Sequence, residues 1–375
     1  MDNLIISNVD IKVSVIIPVY NAGDFLRPAL DSVLGQTLKE IEVICVDDGS
    51  TDNSLDILKE YQKADERVRI VTETNAGPAL ARNNGIRRAR GTYIAFLDAD
   101  DFYELDMLEK MYTEAQDNEL DIVITDYDVY NSHKGEFTKA APVDHGEIYD
   151  GVSVTSKNEH PDSIFSSTNG AAWNKLFRTS FVLEKNLQFL PEVRMYEDVY
   201  FVLTALSLAE RVGKVHKIML HHRIYSEQAR ARHFHKYYAQ IPEIYTKIKE
   251  FLMSAGMYAP LSYSFINHSA SRCFRIYNVL GTEAKGDFWD LLHKGYAERL
   301  GWHGRTVADY EEVEVCEFAA NVEMYNHKQY QKRLLKGRSL RMEKISRMLR
   351  NSKKKKKIRA FLSVLIPGKK KRSAR

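Results

Sequence analysis

The clearest candidate for chemistry in this sequence is a short acidic cluster that follows an apolar run. Asp98, Asp100 and Asp101 come directly after Thr92–Leu97, whose composition predicts a buried strand. Carboxylates just past a strand end can present oxygens to one hard cation such as Mg²⁺ or Mn²⁺. Such a cation bridges diphosphate oxygens and stabilises a phosphate leaving group. A solvated acidic turn with Asp101 as a helix cap also fits these residues, so the cluster needs support from elsewhere.

A second acidic pair ends another apolar run. Asp47 and Asp48 follow Glu42–Val46 and precede Gly49. A carboxylate at this position can accept a hydrogen bond from a base N–H, such as the one that uracil offers. A glycine turn followed by a helix cap at Asp52 is the alternative, but such a turn does not require two adjacent acids. The pair therefore favours a nucleotide site.

Alternating strands and helices are predicted to position these acids. Short apolar runs, typical of strands buried on both faces, alternate with helical segments between residues 12 and 130. This order predicts an α/β fold with a mostly parallel, Rossmann-like sheet flanked by helices, in which ligands bind beyond the carboxyl ends of the strands. The predicted strands are Lys12–Ile17, Glu42–Val46, Val68–Val71 and Tyr93–Leu97, and the predicted helices are Phe25–Leu34, Ser54–Ala64, Ala79–Ala89 and Glu104–Glu119, with Asp52 or Asn53, Asn75 and Asp101 as caps.

The rest of the chain is predicted to be mixed and then helical. Asp121–Tyr130 and Arg211–Arg223 have the pattern of strands, Ala171–Phe189 and Tyr196–Leu208 that of wholly or partly helical segments, and a helical pattern rich in Tyr, Phe and Leu begins near His235. We predict an α/β domain over residues 1–230, a helical C-terminal domain over 231–331 and a separate tail over 332–375.

Composition restricts the class and the compartment. Of 375 residues, 44% are hydrophobic and 28% charged, which fits a globular protein with an adequate core. Cys45, Cys273 and Cys316 lie far apart without metal-ligand spacing, as expected in a reducing compartment. Met1–Asp10 lacks the pattern of a signal peptide, and no run reaches the roughly 18 apolar residues that span a bilayer. A cytoplasmic location is expected.

The last 44 residues are strongly basic. From Lys332 onward there are 19 Lys and Arg residues and one acid, Glu343, in a chain whose net charge is +3, so the rest of the chain is acidic. The apolar run Ile358–Ile366 lies between Lys353–Lys357 and Lys369–Arg372. This arrangement predicts a segment that lies on an anionic membrane, at the inner face of the cell membrane. A disordered basic tail and a nucleic-acid-binding tail are the alternatives, and an aliphatic run between lysine clusters favours lipid.

Six motifs together resemble family 2 glycosyltransferases of the GT-A fold, in particular those of bacterial surface-polysaccharide synthesis. They are Val13–Asn21, Val46–Asp52, Asn75–Gly85, Phe96–Asp101, Trp173–Phe177 and Glu197-Asp198, in the family's order over about residues 12–225. The resemblance implies that residues 1–230 transfer a sugar, with inversion, from a nucleotide-diphosphate sugar to a hydroxyl of a glycan or lipid-linked acceptor. It favours a UDP-sugar as donor and Mn²⁺ or Mg²⁺ as cofactor. Without a membrane-spanning segment, single addition is favoured over processive synthesis.

The resemblance also implies roles for individual residues. Asp100 would be the principal metal ligand, Asp98 would contact the ribose or the metal shell, and Asp198 would be the catalytic base, which inversion requires near the acceptor hydroxyl. Taken alone, Glu197 and Asp198 would fit acids favoured by a helix dipole. The implied donor-binding residues are Pro18, Val19, Tyr20, Asn21, Asp47, Asp48, Asn75, Gly77, Arg82, Asp98 and Ala99.

Further residues are candidates for an acceptor site or a lid. Aromatic faces stack on sugar rings, which makes Trp173 a candidate for the acceptor floor, although a core position would explain it equally well. His222 could ligate a metal or serve only a structural role, and the family more often has an aromatic residue there. The full set is Trp173, Asn174, Lys175, Glu197, His222, Arg223 and Ser226.

Two other classes of function remain as alternatives. A sugar nucleotidyltransferase would require a glycine-rich, arginine-bearing phosphate loop near the N-terminus, and the sequence lacks one. A noncatalytic lipid- or RNA-binding protein would not require the metal and base motifs. Motifs of dehydrogenases, P-loop enzymes and esterases are also missing.

Overall fold

The computed structural model describes residues 10–140, 145–225 and 237–336. The first part alternates strands and helices, as predicted. Its elements are β1 (Val13–Val19), α1 (Leu26–Leu34), β2 (Ile41–Asp47), α2 (Ser54–Ala64), β3 (Val68–Thr72), α3 (Pro78–Ile86), β4 (Tyr93–Phe96), β5 (Phe102–Tyr103) and α4 (Met107–Asp117).

The second part completes the sheet and adds helices. Strands β6 (Ile122–Asn131), β7 (Glu136–Lys139), β8 (Lys175–Arg178) and β9 (Val212–Ile224) are interrupted by helices α5 (Thr179–Glu184) and α6 (Glu197–Leu208). Helical structure follows, as predicted from residue 235, in α7 (Ile241–Ser254), α8 (Tyr258–Val279), α9 (Thr282–Leu291), α10 (Ala297–Arg299) and α11 (Val313–Met324).

The strands form one mixed sheet in the order β3-β2-β1-β4-β8-β6-β9-β5, with β7 paired to β6. Strands β3, β2, β1 and β4 are parallel, so their carboxyl ends lie at one edge. Strand β8 is antiparallel to both β4 and β6, and β9 runs parallel to β6. Strand β8 therefore lies between the parallel strands β3, β2, β1 and β4 on one side and strands β6 and β9 on the other.

The core explains why the first strands are continuous apolar runs. Every residue of β2 is buried, and β1 is buried except at Pro18. Their side chains pack with Leu30 of α1 and Met111 of α4 in one cluster. Each fully buried aliphatic side chain contributes about 1.5–3 kcal/mol, so this cluster holds the parallel strands, and the loops after them, in fixed positions.

Three elements differ from their predictions. Lys175–Arg178 is not helical but forms β8, because a short apolar run fits a buried strand as well as a helix. Helix α3 begins after Gly77 with Pro78, not at Asn75. Helix α4 begins after Asp106, because the Asp101 carboxylate bonds to β9 instead of capping a helix.

Two compact units are present, Met1–Glu323 and Met324–Arg375. The domain limits at residues 230 and 331 stay predictions. None of the helices within the described ranges is both long enough and apolar enough to span a bilayer. The predicted tail lies outside the described residues from residue 337 onward.

Candidate active site

The loops after the parallel strands are tied together by one carboxylate. Asp48, which follows β2, accepts the Ala76 N–H at Oδ1 (2.7 Å) and the Gly77 N–H at Oδ2 (2.8 Å). Its own N–H donates to the Val19 carbonyl at 2.8 Å. We call this set of contacts the Asp48 clasp. It fixes the Asn75–Gly77 loop against the ends of β1 and β2.

The loop after β1 is held by a second set of contacts. Asn21 has a φ of 49°, in the left-handed region that Asn tolerates. Its Oδ1 accepts the Thr51 N–H at 2.8 Å, and its own N–H donates to Ser50 Oγ at 3.1 Å. Tyr20 is left 51% exposed beside this loop, with its ring open to a ligand.

Asp47 ends β2 next to the clasp. It is buried, and its Oδ1 has no hydrogen-bond partner among the described residues. A buried acceptor without a donor is costly, and a ligand N–H would satisfy it. Asn75 at the tip of the next loop is exposed. Both residues lie at the strand edge where the donor was predicted to bind.

Arg82 of α3 connects the two acidic motifs. Its Nη2 donates to Asp98 Oδ1 at 2.6 Å, and its Nη1 donates to Glu197 Oε1 at 2.7 Å. The same Nη1 lies 3.4 Å from Asp198 Oδ1. The guanidinium is buried, and although burial lowers its pKa, the charges of Asp198, Asp98 and Glu197 outweigh this effect and raise it. Arg82 is therefore a permanent cation between three carboxylates.

Asp198 lies in the first turn of α6 with an altered acidity. Burial raises the pKa of its carboxyl to about 7, against the lowering effect of Arg82 and with further raising by Glu197 and Asp98. Its Oδ2 accepts the Ala172 N–H at 3.1 Å, and its Oδ1 has no hydrogen-bond partner in the described part of the chain. A carboxyl that ionises near neutral pH is suited to accept a proton.

The acidic cluster after β4 is compact. Ligand oxygens of Asp98, Asp100 and Asp101 all lie within 4.8 Å of one another. Burial, together with the charges of Asp101 and Asp98, raises the pKa of Asp100 to about 7. A divalent cation would offset this repulsion, and an all-oxygen donor set is the kind that Mg²⁺ and Mn²⁺ prefer. The residues present therefore fit a hard divalent ion.

Strand β9 supports this cluster from the side. Asp101 is fully buried and accepts the Arg223 N–H at 2.8 Å and a bond from His222 Nδ1 at 3.1 Å. Burial lowers the pKa of His222, but Asp101 and its neighbours outweigh this and raise it. The Tyr225 hydroxyl donates to the Asp100 carboxylate. Strand β9 thus engages both carboxylate oxygens of Asp101. Among the described residues, Asp98 bonds to Arg82 only through Oδ1 and Asp100 to Tyr225 only through Oδ2, which leaves one oxygen of each for a cation.

A buried lysine shapes the loop before β8. Lys175 is 0% exposed. Its Nζ donates to Asn169 O and Oδ1 (both 3.0 Å), Ala171 O (2.7 Å) and Asn174 Oδ1 (2.8 Å). Burial lowers its pKa to about 7, against the raising effect of Asp198. These contacts curl residues 169–174 so that Ala172 N–H meets Asp198.

The other acceptor candidates are mostly covered. Trp173 is 7% exposed and stacks on His222, with ring centroids 5.4 Å apart and planes 8° apart. Asn174 is buried and donates to the Thr125 carbonyl at 2.7 Å. Ala99, which was predicted to bind the donor, is also buried. Ser226 lies outside the described residues.

The structure adds residues that the motifs did not indicate. A Cβ at Gly77, whose φ is 98°, would collide with the Arg194 guanidinium, so the glycine permits this cation to lie against the Asn75–Gly77 loop. Tyr196, the residue that precedes α6, has a φ of 63°. No sequence signal marks Arg194 or Tyr196, whereas Tyr225 follows the predicted His222-Arg223 pair closely enough to have been included.

Residues 14–179 match the family described as glycosyl transferase family 2. This segment therefore matches a family 2 glycosyltransferase domain, and the mixed sheet has the GT-A fold.

Named relatives agree with this classification. The chain is 35% identical to glycosyltransferase GlyA of Streptococcus pneumoniae over 58% of this chain and 31% of GlyA. It is 34% identical to the poly(ribitol-phosphate) beta-glucosyltransferase of Bacillus spizizenii over 54% of this chain and 30% of that protein. The chain thus spans about a third of the length of these two relatives.

A solved structure has the same fold. Residues 1–349 of S. aureus TarS, crystallised with UDP, align with a TM-score of 0.66 at 20% identity, covering 87% of this chain and 92% of that one. The same protein with UDP-GlcNAc gives a TM-score of 0.67.

Proposed function

We propose that this chain is an inverting glycosyltransferase that moves one sugar from a UDP-sugar to a hydroxyl of a glycan or lipid-linked acceptor. One observation carries the proposal: Asp198, with a pKa near 7, lies beside Arg82, and Arg82 also contacts Asp98 of the acidic cluster. A base and a diphosphate-binding cluster on either side of one cation are the two parts that an inverting displacement requires.

In this mechanism the acceptor oxygen attacks the anomeric carbon while the bond from that carbon to the diphosphate oxygen breaks. Asp198 takes the hydroxyl proton, and the bonding electrons leave with the nucleoside diphosphate. Arg82 keeps Asp198 partly ionised at neutral pH, because its cation opposes the effect of burial. Ala172 N–H orients the carboxylate through Oδ2.

The acidic cluster would hold a divalent cation, Mn²⁺ or Mg²⁺. Asp100 would be the principal ligand and Asp98 a second one, while Asp101 is held by β9. A bound divalent ion would supply positive charge against the departing diphosphate.

The donor's nucleotide would bind at the ends of β1, β2 and β3. Tyr20 offers an exposed ring. Asp47 offers a buried oxygen to which none of the described residues donates, and the Asp48 clasp keeps the loop beside it in place. That TarS has been crystallised with UDP and UDP-GlcNAc supports a uridine nucleotide as donor here. Arg194, lying against Gly77, adds positive charge near this loop.

The relatives support a role in bacterial surface-polysaccharide synthesis. One of them is named for poly(ribitol-phosphate) as the polymer that it glucosylates, and the chain shares 34% identity with it over the aligned region. The basic tail, residues 332–375, would hold the enzyme at an anionic membrane, where lipid-linked acceptors reside.

A screen of nucleotide sugars tests the reaction class. UDP-sugars with Mn²⁺ should raise the melting temperature more than GDP- or CDP-sugars do, because a ligand that binds only the folded state stabilises it. Slow release of UDP without pyrophosphate would separate a glycosyltransferase from a nucleotidyltransferase. If no nucleotide sugar stabilises the protein and none is hydrolysed, the proposal is wrong.

A further inference from the structure

A shallow recess lies beside the acidic cluster and shares Arg223 with the site described above. Its volume is about 320 Å³, at the small end of ligand pockets, which are roughly 300–1,000 Å³. That volume suits a single sugar unit better than a nucleotide sugar. The recess is lined by Pro28, Phe102, Tyr130, Gly135, Phe137 and Arg223.

Three of its six lining residues are aromatic. Phe137 lies 4.8 Å from Tyr130 and 6.4 Å from Phe102, measured between ring centroids, and is 53% exposed. His221 contacts both Phe102 and Phe137, and its two ring nitrogens bond to Asp128 and Glu104, which hold the histidine against these rings. A fixed, exposed aromatic surface suits the apolar face of a sugar ring.

The polar group of the recess is a cation, Arg223, that forms no ion pair with any of the described residues. The Arg223 guanidinium lies 5.1 Å from the Phe102 ring centroid and 5.2 Å from that of Tyr130. Its Nε donates to the Asp100 carbonyl at 2.7 Å. Among the described residues, its Nη atoms have no hydrogen-bond acceptor and no carboxylate within ion-pair distance. A partly buried cation in this state favours an anionic ligand.

The recess is joined to the reacting region through the backbone. Phe102 directly follows Asp101, and Arg223 bonds to both Asp100 and Asp101. The geometry points to a subsite for an anionic sugar unit of the acceptor, one that carries a carboxylate or phosphate. The ring would stack on Phe137 and the anion would pair with Arg223. This inference rests on the proposed function, since it assigns the occupant to the acceptor.

Saturation-transfer NMR with a matched pair of sugars tests the subsite. Methyl β-glucuronide should bind the full chain, and methyl β-glucoside, which lacks the carboxylate, should bind at least about tenfold more weakly, the loss expected for one charge-assisted hydrogen bond. Phe137→Ala should weaken glucuronide binding and leave UDP binding unchanged. Met253→Ala, at an exposed position of α7, is the matched control and should change neither.

The outcomes separate the two proposals. Equal binding of the two sugars, or glucuronide binding that survives Phe137→Ala, would overturn the subsite. Displacement of the glucuronide by UDP would instead assign the recess to the donor and overturn the acceptor assignment. Failure of UDP itself to bind would count against the proposed function, whatever the sugars do.

Discussion

Asp198 Oδ1 lies 3.4 Å from Arg82 Nη1, whereas Glu197 Oε1 lies only 2.7 Å from the same nitrogen. The glutamate therefore takes the shorter hydrogen bond, and the aspartate keeps an oxygen without a hydrogen-bond partner among the described residues. This division assigns Glu197 to holding the arginine and leaves Asp198 able to receive a proton.

Asp198→Asn should abolish transfer while nucleotide binding is retained. An amide cannot accept the acceptor proton, so turnover should fall by about 10²–10⁴-fold, the usual contribution of a general base. Titration calorimetry with UDP should give an unchanged Kd. Asp56→Asn, on the outer face of α2 with an 83% exposed side chain, is the control and should keep full activity. Full activity in Asp198→Asn would remove this residue from the mechanism.

The transfer rate should rise with pH through about 7. Only ionised Asp198 can act as a base, and burial raises its pKa to about 7 against the attraction of Arg82. Below that pH the ionised fraction, and with it kcat, should fall about tenfold per unit. Measuring kcat as a function of pH at a saturating donor concentration tests this rise. The range from about pH 5.5 to about pH 8 extends roughly one unit or more on each side of this pKa. A kcat that does not change over this range would contradict the assignment of Asp198 as the base.

Lys175→Met should lower kcat and leave UDP affinity unchanged. Without the ammonium, residues 169–174 lose their common donor, and Ala172 N–H no longer holds Asp198 in place. A displaced base costs on the order of 100-fold. Lys185→Met, at an exposed position, is the control. Because Lys175 is buried, Lys175→Gln, which keeps two N–H donors, should recover part of kcat. If Lys175→Gln restores the melting temperature but not kcat, Lys175 does not act by positioning the base.

Asp100→Ala should remove the metal dependence of nucleotide binding. In the wild type, UDP should bind more tightly with Mn²⁺ than with EDTA, because a cation at the acidic cluster bridges the diphosphate. The variant should bind UDP weakly and equally in both conditions by calorimetry. Asp117→Ala, exposed at the end of α4, should behave as wild type. Equal UDP affinity with and without Mn²⁺ in the wild type would argue against the metal site.

Deletion of residues 353–375 should weaken binding to anionic vesicles. The segment carries the five consecutive lysines Lys353–Lys357, and each cation near an anionic surface contributes about 1 kcal/mol. Co-sedimentation with phosphatidylserine vesicles should fall at least about tenfold, while turnover on a soluble acceptor is unchanged. Replacing Lys353–Lys357 with Gln separates charge from length. Unchanged sedimentation of the deleted protein would refute the membrane anchor.

Three of the parallel strands, β1, β2 and β4, could be predicted from the sequence because they are buried almost throughout. Such strands are continuous apolar runs. Strands β1 and β2, and also the less buried β3, fall within two residues of their predicted limits. Strand β8 could not be predicted, because Lys175–Arg178 becomes a strand only through pairing with β4 and β6, which are far away in sequence.

The candidate site, too, could be predicted from the sequence only in part. The acidic motifs were visible because several carboxylates at strand ends exceed what turns require. The separate roles of these carboxylates could not be predicted, because they depend on tertiary contacts. Asp48 bonds to Gly77, and Arg82 bonds to Glu197, which lies 115 positions away in the sequence. Motifs list the residues of a site, and tertiary contacts decide which of them remain open to a ligand.

The Asp48 clasp has an entropic consequence. Since both carboxylate oxygens bond to the backbone of the Asn75–Gly77 loop, this loop is ordered when the chain folds and not when a nucleotide arrives. Association then avoids a loss of backbone entropy of roughly 1–2 kcal/mol per residue. Differences in affinity between nucleotides should therefore reflect direct contacts with a rigid rim, and not the cost of closing a loop.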